Sequence, residues 1–167
     1  FILSGIAVFF YGLWHFGKDL PDYKELSKYN PKVVTRIHAG NGALLAEYAV
    51  EKRVFVPINV IPKTVIDAFI SAEDKDFYKH FGLDLKATLR ALLTNIKNIG
   101  SGKRLIGAST ITQQVAKNFL LSSEVSYERK IKEAILAVRI ERAFSKNQIL
   151  ELYLNEIYLG FKSYGIA

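Results

Sequence analysis

Apolar residues recur at intervals of three and four along the chain from Pro62 onward, the spacing that places side chains on one face of an α-helix. The first stripe contains five apolar residues: Val65, Ile66, Phe69, Ile70 and Phe77. Each later helix is predicted to begin at a residue whose side chain can cap it: Asp84, Thr110, Ser126 and Ser145. With 167 residues, the chain suffices for about one domain with its own core. The sequence predicts a mainly α-helical body over residues 62–167.

The chain begins with an uncharged apolar stretch, residues 1–16, which carries Tyr11 and Trp14 near its end as membrane helices often do. A membrane span needs about 20 apolar residues. We therefore expect residues 1–17 to be the larger part of a transmembrane anchor. The alternatives are a buried core helix or the remainder of a signal peptide, although no small-residue cleavage site follows. Since the chain contains no Met, we expect it to be a piece of a longer protein.

Residues 18–61 are predicted to connect the anchor to the helical body and to form a small β element. Residues 33–37 alternate in polarity and lead into a turn at residues 38–42. The Asn41-Gly42 pair in this turn is a strong hairpin signal before a second strand at residues 43–48. We expect a third short strand at residues 53–57.

The charge of the chain points to an anionic partner, because 23 Lys and Arg face 16 Asp and Glu and the formal net charge is +7. Nucleic acid is disfavoured, since the chain has the apolar N-terminal segment and no recognisable DNA- or RNA-binding motif. Phospholipid and diphosphate groups remain as candidate anionic partners. The absence of cysteine excludes disulfides, thiolate nucleophiles and Cys-based metal sites.

The helix after Asp84 carries its charged residues apart from an apolar side, and it leads into the Gly-rich basic loop at residues 100–104. Five residues form the apolar side: Leu85, Leu89, Leu92, Leu93 and Ile96. A basic amphipathic helix of this kind suits a membrane surface. The alternative is an ordinary packed helix with a solvated charged face.

Glu73 interrupts the apolar stripe of the first helix. A carboxylate on the inward face of a helix is desolvated unless it is paired, and desolvation raises its pKa toward neutrality. We therefore predict that Glu73 is a general base. The alternatives are a helix-end glutamate whose stripe assignment is wrong by one position, or an ion pair with Lys75 or Arg90. His80, in the same segment, is expected to make structural hydrogen bonds, with a proton-transfer or substrate-binding role as the alternative.

Residues 107–118 combine hydroxyls, amides and Lys117 at the start of a helix. Thr110 and Gln113 have the spacing of a capping box, which accounts for two of the polar residues. A helix N-terminus with hydroxyl and amide donors and a cation binds phosphate or sugar well. The alternative is a well-capped surface helix.

Glu133 follows Arg129 by four residues and Lys130 by three. Intrahelical ion pairing is the simple explanation. However, the apolar run at residues 134–140 predicts a central, buried helix, in which unpaired charges are costly. Charges kept on such a helix suggest a site.

The last helix begins with a second capping-box pair, Ser145 and Gln148, and its apolar density is typical of core packing. Asn155 and Gly160 suit a helix end and a turn. We assign this segment a structural role first.

Four segments of the sequence, taken together, indicate a particular protein family. They are Glu73-Asp74 with Phe77, His80 and Gly82; Gly107 with residues 109–114 and Lys117-Asn118; Arg129-Lys130 with Glu133; and Glu151 with residues 153–155 and Gly160. In this order and spacing, they closely resemble the peptidoglycan glycosyltransferase domain of class A penicillin-binding proteins and monofunctional transglycosylases. The resemblance covers residues 33–167. The chain contains neither the family's final glycosyltransferase motif nor the Ser-x-x-Lys nucleophile of a transpeptidase domain.

The resemblance implies a mainly α fold with a lysozyme-like helical catalytic lobe at residues 62–167 and a smaller membrane-proximal lobe. It also implies that the protein polymerises lipid II into β-1,4-linked glycan strands, with the growing lipid-linked chain as donor. Glu73 would deprotonate the 4-hydroxyl of the acceptor lipid II, which attacks the donor's anomeric carbon and inverts it as undecaprenyl diphosphate leaves. Glu133 would orient groups at the donor and acceptor sites.

By the same resemblance, seven residues are expected to bind substrate: Asp74, Thr112, Gln113, Gln114, Lys117, Arg129 and Lys130. No tightly bound cofactor is expected. A divalent cation such as Mg²⁺ is an open choice at the diphosphate, and no protein ligands for it are evident.

The expected partners are lipid II, the lipid-linked nascent glycan and the membrane, with no nucleic acid; cell-wall synthesis proteins stay open. The expected location is the cytoplasmic membrane, crossed once, with the catalytic domain on the extracytoplasmic, periplasmic side. Two rival functions remain. A lysozyme-type glycan-cleaving enzyme would need neither an anchor nor a diphosphate site, and a non-catalytic membrane-surface binding module would not need Glu73.

Overall fold

The computed structural model describes residues 11–12, 14–28, 35–48, 55–122, 124, 126–161 and 163–166. Residues 11–12 and 14–17 are helical. The α-helices that follow within the described residues are α1 (Lys63–Glu73), α2 (Leu85–Lys97), α3 (Ile111–Leu120), α4 (Tyr127–Ala143) and α5 (Lys146–Glu156). Two short 3₁₀ helices, Tyr23–Lys28 and Ile58–Val60, precede α1. The prediction of a mainly α-helical chain is confirmed.

The predicted anchor, residues 1–17, lies mostly outside the described residues. In the part of the chain that the structure describes, no helix is long and apolar enough to span a bilayer. The described end of the N-terminal helix contacts the helical body, because Arg139 in α4 donates a hydrogen bond of 3.1 Å to the carbonyl of Gly17. The transmembrane helix stays a prediction.

The predicted hairpin is confirmed where it is described. Strands β1 (Thr35–His38) and β2 (Leu44–Tyr48) pair antiparallel, and residues 33–34 lie outside the described part of the chain. Gly42 adopts a φ of 83°, and the Asn41 side chain accepts a 3.0 Å hydrogen bond from the Ala43 N–H. The Asn-Gly pair therefore forms the turn, as its conformational freedom predicts. A second hairpin joins β3 (Tyr158–Gly160) and β4 (Ser163–Tyr164) near the described end.

The third strand predicted at residues 53–57 is wrong for residues 55–57, which form no strand; residues 53–54 lie outside the described part. The Val56 N–H donates to Asn155 Oδ1 at 2.7 Å, and Asn155 Nδ2 donates to the Val56 carbonyl at 2.9 Å. The side chain of a helix thus satisfies the backbone groups that a neighbouring strand would otherwise pair.

The core lies where α3, α4 and α5 pack together. Its fully buried apolar side chains include Phe77, Ile111, Leu136, Ile140, Ile149, Leu150 and Leu154. No residue from 132 to 141 is exposed, so the prediction that α4 is central and buried is confirmed. The core-packing role predicted for α5 is confirmed as well.

The helix starts agree with the predicted caps. Asp84 and Ser126 accept backbone N–H groups from the first turns of α2 and α4. Thr110 and Ser145 form complete capping boxes at α3 and α5. Pro62 is the N-cap residue of α1. These boundaries were predictable because capping contacts join residues only a few positions apart.

Helix α2 leaves its predicted apolar side exposed. Among its residues, Ala91 alone is buried, and Leu85, Leu89, Leu92, Leu93 and Ile96 are each more than half exposed. The adjoining loop also exposes Ile99, Leu105 and Ile106. The side chain of Asn95 holds this loop against α2, since it donates to the Ile106 carbonyl and accepts from its N–H. The alternative of an ordinary packed helix is therefore wrong.

Gly82 lies where the segment after α1 passes over α4. Its φ is 83°, and a Cβ atom added there would lie 2.8 Å from the Ala137 carbonyl oxygen. The Gly82 carbonyl also accepts a 2.7 Å hydrogen bond from the Thr110 hydroxyl. The contact therefore joins the segment after α1 to both α3 and α4.

We expect Gly82→Ala to lower the free energy of unfolding by about 3 kcal/mol, combining a left-handed backbone with an overpacked contact. The matched control is Gly100→Ala, because Gly100 has a φ of 80° with nothing within 4 Å of the added Cβ. Chemical denaturation of both variants isolates the steric contribution. Equal losses in the two variants would contradict the close packing at Gly82.

Candidate active site

Glu73 is the last residue of α1, and its side chain is exposed. The prediction that it lies inward and is desolvated is wrong, because the helix ends there and Asp74, with φ −158°, turns the chain. The inward position belongs to Asp74, which is only 7% exposed. The structure therefore agrees with the alternative interpretation, in which Glu73 is a helix-end glutamate and the apolar stripe was assigned wrongly by one position. The hydrogen-bond partner of Glu73 is Gln114, whose Nε2 donates to Oε2 at 2.9 Å.

Asp74 binds two separate segments. Its carboxylate oxygens lie 2.9 and 3.0 Å from Nε2 of His80. One oxygen also accepts a 3.0 Å hydrogen bond from the N–H of Ile111, the first residue of α3. The structural hydrogen bond predicted for His80 is confirmed. The substrate-binding role of Asp74 stays a prediction, and the contacts show that this carboxylate fixes the end of α1 against the start of α3.

The three polar residues at the start of α3 have different partners. Thr112 is fully buried and donates a 2.6 Å hydrogen bond to Glu141. The Gln113 side chain accepts the Thr110 N–H as part of the capping box. Gln114 reaches Glu73. Of the three predicted substrate contacts, Gln114 is therefore the one that the structure brings to the candidate base.

Glu133 is 1% exposed, and its carboxylate pairs with two basic residues of its own helix. Arg129 Nε lies 3.2 Å from Oε1, and Lys130 forms an ion pair with Oε2. Two adjacent cations offset the desolvation of the buried carboxylate, as intrahelical pairing predicts. Lys130 also donates to the Ser109 hydroxyl at 2.8 Å. This contact links α4 to the polar segment before α3.

Two cavities accompany these residues. One of about 190 Å³ is lined by residues 71–75 and 107–110 together with Asp84, Ala87 and Arg90. A second, of about 490 Å³, is lined by Lys117, Asn118, Leu121, Ser122, Arg129, Glu156, Tyr158 and Tyr164. Gln114, Lys117 and Asn118 are three and four residues apart in α3 and so share one face. That face leads from the partner of Glu73 into the second cavity, called the cationic cavity below because two basic residues, Lys117 and Arg129, line it with one acid, Glu156.

Glu141 and Lys146 were not predicted from the sequence, although both contact residues of the candidate site. Lys146 Nζ lies 2.7 Å from Glu141 Oε1, donates to the His80 carbonyl at 2.8 Å and lies 4.4 Å from the Phe77 ring centre. Glu141 also accepts the Thr112 hydroxyl. The sequence gives no local signal that would place Lys146 beside His80.

The polar groups described above do not form a metal cage of their own. Among the described residues, no group of three or more His, Cys, Asp or Glu side chains is placed to hold a metal ion. The expectation that any divalent cation comes with the substrate diphosphate stays a prediction.

A family model described as "Transglycosylase" matches residues 41–167, about three quarters of the chain. The chain belongs to the transglycosylase family. The match includes all four segments that carry the sequence resemblance, and it covers both cavities and the Glu73–Gln114 contact.

Relatives of this transglycosylase-family chain are named penicillin-binding protein 1A. The protein of Rickettsia felis is 56% identical over 99% of this chain and 21% of its own length. The proteins of Aquifex aeolicus and Neisseria flavescens are 44% and 45% identical, over 99% and 98% of this chain and 22% and 21% of their own lengths. The chain thus spans about a fifth of the length of these relatives.

Proposed function

We propose that this chain is the catalytic part of a peptidoglycan glycosyltransferase that polymerises lipid II into β-1,4-linked glycan strands on a lysozyme-like helical lobe. The observation that carries the proposal is the placement of Glu73. Its exposed carboxylate borders one cavity, and its partner Gln114 lies on the face of α3 that continues into a second, cationic cavity. Membership of the transglycosylase family and the names of the relatives support the same activity.

In the proposed reaction, the acceptor lies against Glu73 and the donor diphosphate lies in the cationic cavity. The Glu73 carboxylate takes the proton of the acceptor 4-hydroxyl, and that oxygen forms the new bond to the donor's anomeric carbon from the face opposite the leaving group. The bond between the anomeric carbon and the diphosphate oxygen breaks, its electron pair leaves with undecaprenyl diphosphate, and the anomeric centre is inverted. Gln114 fixes the carboxylate through Oε2. A positioned base typically contributes about 10² to 10⁴-fold in rate.

Negative charge that develops on the leaving diphosphate has to be stabilised by cations. Lys117 and Arg129 line the second cavity and are suited to this role. Any Mg²⁺ ion that accompanies the diphosphate would take its ligands from the substrate and from water. We assign Glu133 an orienting role, because its buried carboxylate holds Arg129 and Lys130 in place.

We propose that the exposed apolar side of α2 and its loop lie on the outer surface of the cytoplasmic membrane, with the catalytic lobe on the periplasmic side. The leucines of α2 are more than half exposed, and Lys103 and Arg104 in the adjoining loop suit anionic headgroups. A membrane surface would bring the lipid-linked substrate to Glu73 without extracting its lipid.

Replacing Leu89 and Leu92 together by Ser should weaken binding to anionic vesicles by about tenfold or more, because each leucine would lose roughly 1 kcal/mol or more of apolar burial in the membrane. Stability should hardly change, since both side chains are exposed. The control is Val60→Ser, an exposed apolar residue in the 3₁₀ helix before α1. A vesicle flotation assay that shows no difference between the variants would contradict a membrane role for α2.

An assay in detergent with two substrates distinguishes the proposed activity from the two rival functions, glycan cleavage and non-catalytic binding. Labelled lipid II should be converted into polymer, while preformed uncrosslinked glycan should stay intact. Breakdown of preformed glycan would instead indicate a lysozyme-type enzyme. Binding of lipid II without turnover would indicate a non-catalytic membrane-surface module.

A further inference from the structure

Tyr153, in α5, has a buried hydroxyl group that takes no part in the contacts described above. The residue is 1% exposed. Among the described residues its hydroxyl oxygen has no hydrogen-bond partner, and it is closed to solvent. A buried hydroxyl without a partner costs roughly 1–3 kcal/mol, whereas Phe would fill the same volume without this cost. The position therefore carries a polar group that the packing does not need.

Two observations relate this hydroxyl to the candidate base. The rings of Tyr153 and Phe69 meet edge to face, with centres 6.2 Å apart. Phe69 precedes Glu73 by four residues in α1, so the two side chains share one face of that helix. Burial and, second, the negative charge of Glu73 raise the pKa of Tyr153 above its ordinary value. The phenol consequently stays protonated and remains a donor at any pH at which the enzyme works.

We propose that Tyr153 is a positioning residue for Glu73: when the acceptor fills the cavity, the carboxylate turns inward and accepts a hydrogen bond from the Tyr153 hydroxyl at Oε1. Oε1 is open to a second donor, because Gln114 occupies Oε2 and, among the described residues, no hydrogen bond to Oε1 is found. Glu73 is exposed at the end of its helix and so has room to change rotamer. The inference rests on the proposed role of Glu73 as base.

Donation to a carboxylate favours its charged form and so opposes the desolvation that a bound substrate imposes. The proposed hydrogen bond should therefore extend polymerisation to lower pH. Other charged groups also face Glu73, namely Asp74 beside it and Lys75, Asp84 and Arg90 in the same cavity. These groups are unchanged in a Tyr153→Phe variant, so a comparison with the wild type isolates the hydroxyl.

The test is the pH dependence of kcat for lipid II polymerisation in detergent, because the acid limb of kcat reports the base in the substrate complex. Tyr153→Phe should move the acid limb up by about one pH unit, with about a tenfold loss of rate below the limb and little loss above it. Its unfolding temperature should not fall, because an unpartnered hydroxyl has been removed. Tyr23→Phe, a partly buried tyrosine in the first 3₁₀ helix, is the matched control and should behave as wild type.

An unchanged acid limb in Tyr153→Phe, or an equal loss of rate at every pH, would overturn the inference. Glu73→Gln in the same assay keeps the two claims apart. If Glu73→Gln is inactive and the limb does not move in Tyr153→Phe, the positioning role fails and the base assignment stands. If Glu73→Gln is as active as the wild type, the base assignment itself fails.

Discussion

Glu73→Gln is expected to lower the rate of lipid II polymerisation by about 10² to 10⁴-fold, the contribution of a positioned general base. The amide keeps the size of the side chain and still contacts Gln114 but cannot take a proton from the acceptor hydroxyl. Because Glu73 is exposed, the substitution should leave the unfolding temperature and the affinity for lipid II nearly unchanged.

The matched control for this variant is Glu128→Gln. Glu128 is an exposed glutamate of α4 whose partner is Lys132, at 2.6 Å on the same helix. Surface ion pairs of this kind contribute little to stability. Normal polymerisation by Glu128→Gln would show that the loss in Glu73→Gln comes from the lost base and not from a change in net charge. A similar loss in both variants would contradict the assignment.

Lys146→Met is expected to lower the free energy of unfolding by about 3 kcal/mol, because it leaves a buried carboxylate without its cation. The Glu141 side chain is 3% exposed and that of Lys146 is 20% exposed. The lost contacts include the hydrogen bond to the His80 carbonyl, so the segment between Glu73 and α2 should also become less rigid. Chemical denaturation measures the first effect.

Lys63→Met is the matched control for this stability change. Its ion pair with Asp67 has the same type of atoms at 2.6 Å, but the side chains are 84% and 54% exposed. Its loss should cost at most about 1 kcal/mol. Adding Glu141→Gln to Lys146→Met should restore part of the stability, since no uncompensated charge remains buried. If both lysine variants unfold at the same denaturant concentration, the Glu141–Lys146 pair has no special role.

The sequence predicts those parts of the fold that depend on local contacts. The capping residues and the Asn41-Gly42 turn were placed correctly because each contact joins positions a few residues apart. The contact between Val56 and Asn155 joins positions 99 residues apart, and no periodicity foreshadows it. The prediction of a strand at residues 55–57 failed for that reason.

The sequence predicted residues that belong to the candidate site, but not the directions in which their side chains point. An amphipathic pattern assigns each residue to a face only while the helix continues, and α1 ends at Glu73. Asp74 therefore took the buried position predicted for its neighbour. The contacts of Lys146 with the His80 carbonyl and of Tyr153 with the Phe69 ring join distant segments, so only the folded chain reveals them.

The measurement that tests the account most directly follows the first glycosidic bond formed from labelled lipid II by wild type, Glu73→Gln and Glu128→Gln under identical conditions. Wild type and Glu128→Gln should give a β-1,4-linked product and release undecaprenyl diphosphate, while Glu73→Gln should give almost none. Equal product formation by Glu73→Gln, or an α-linked product from the wild type, would contradict the account.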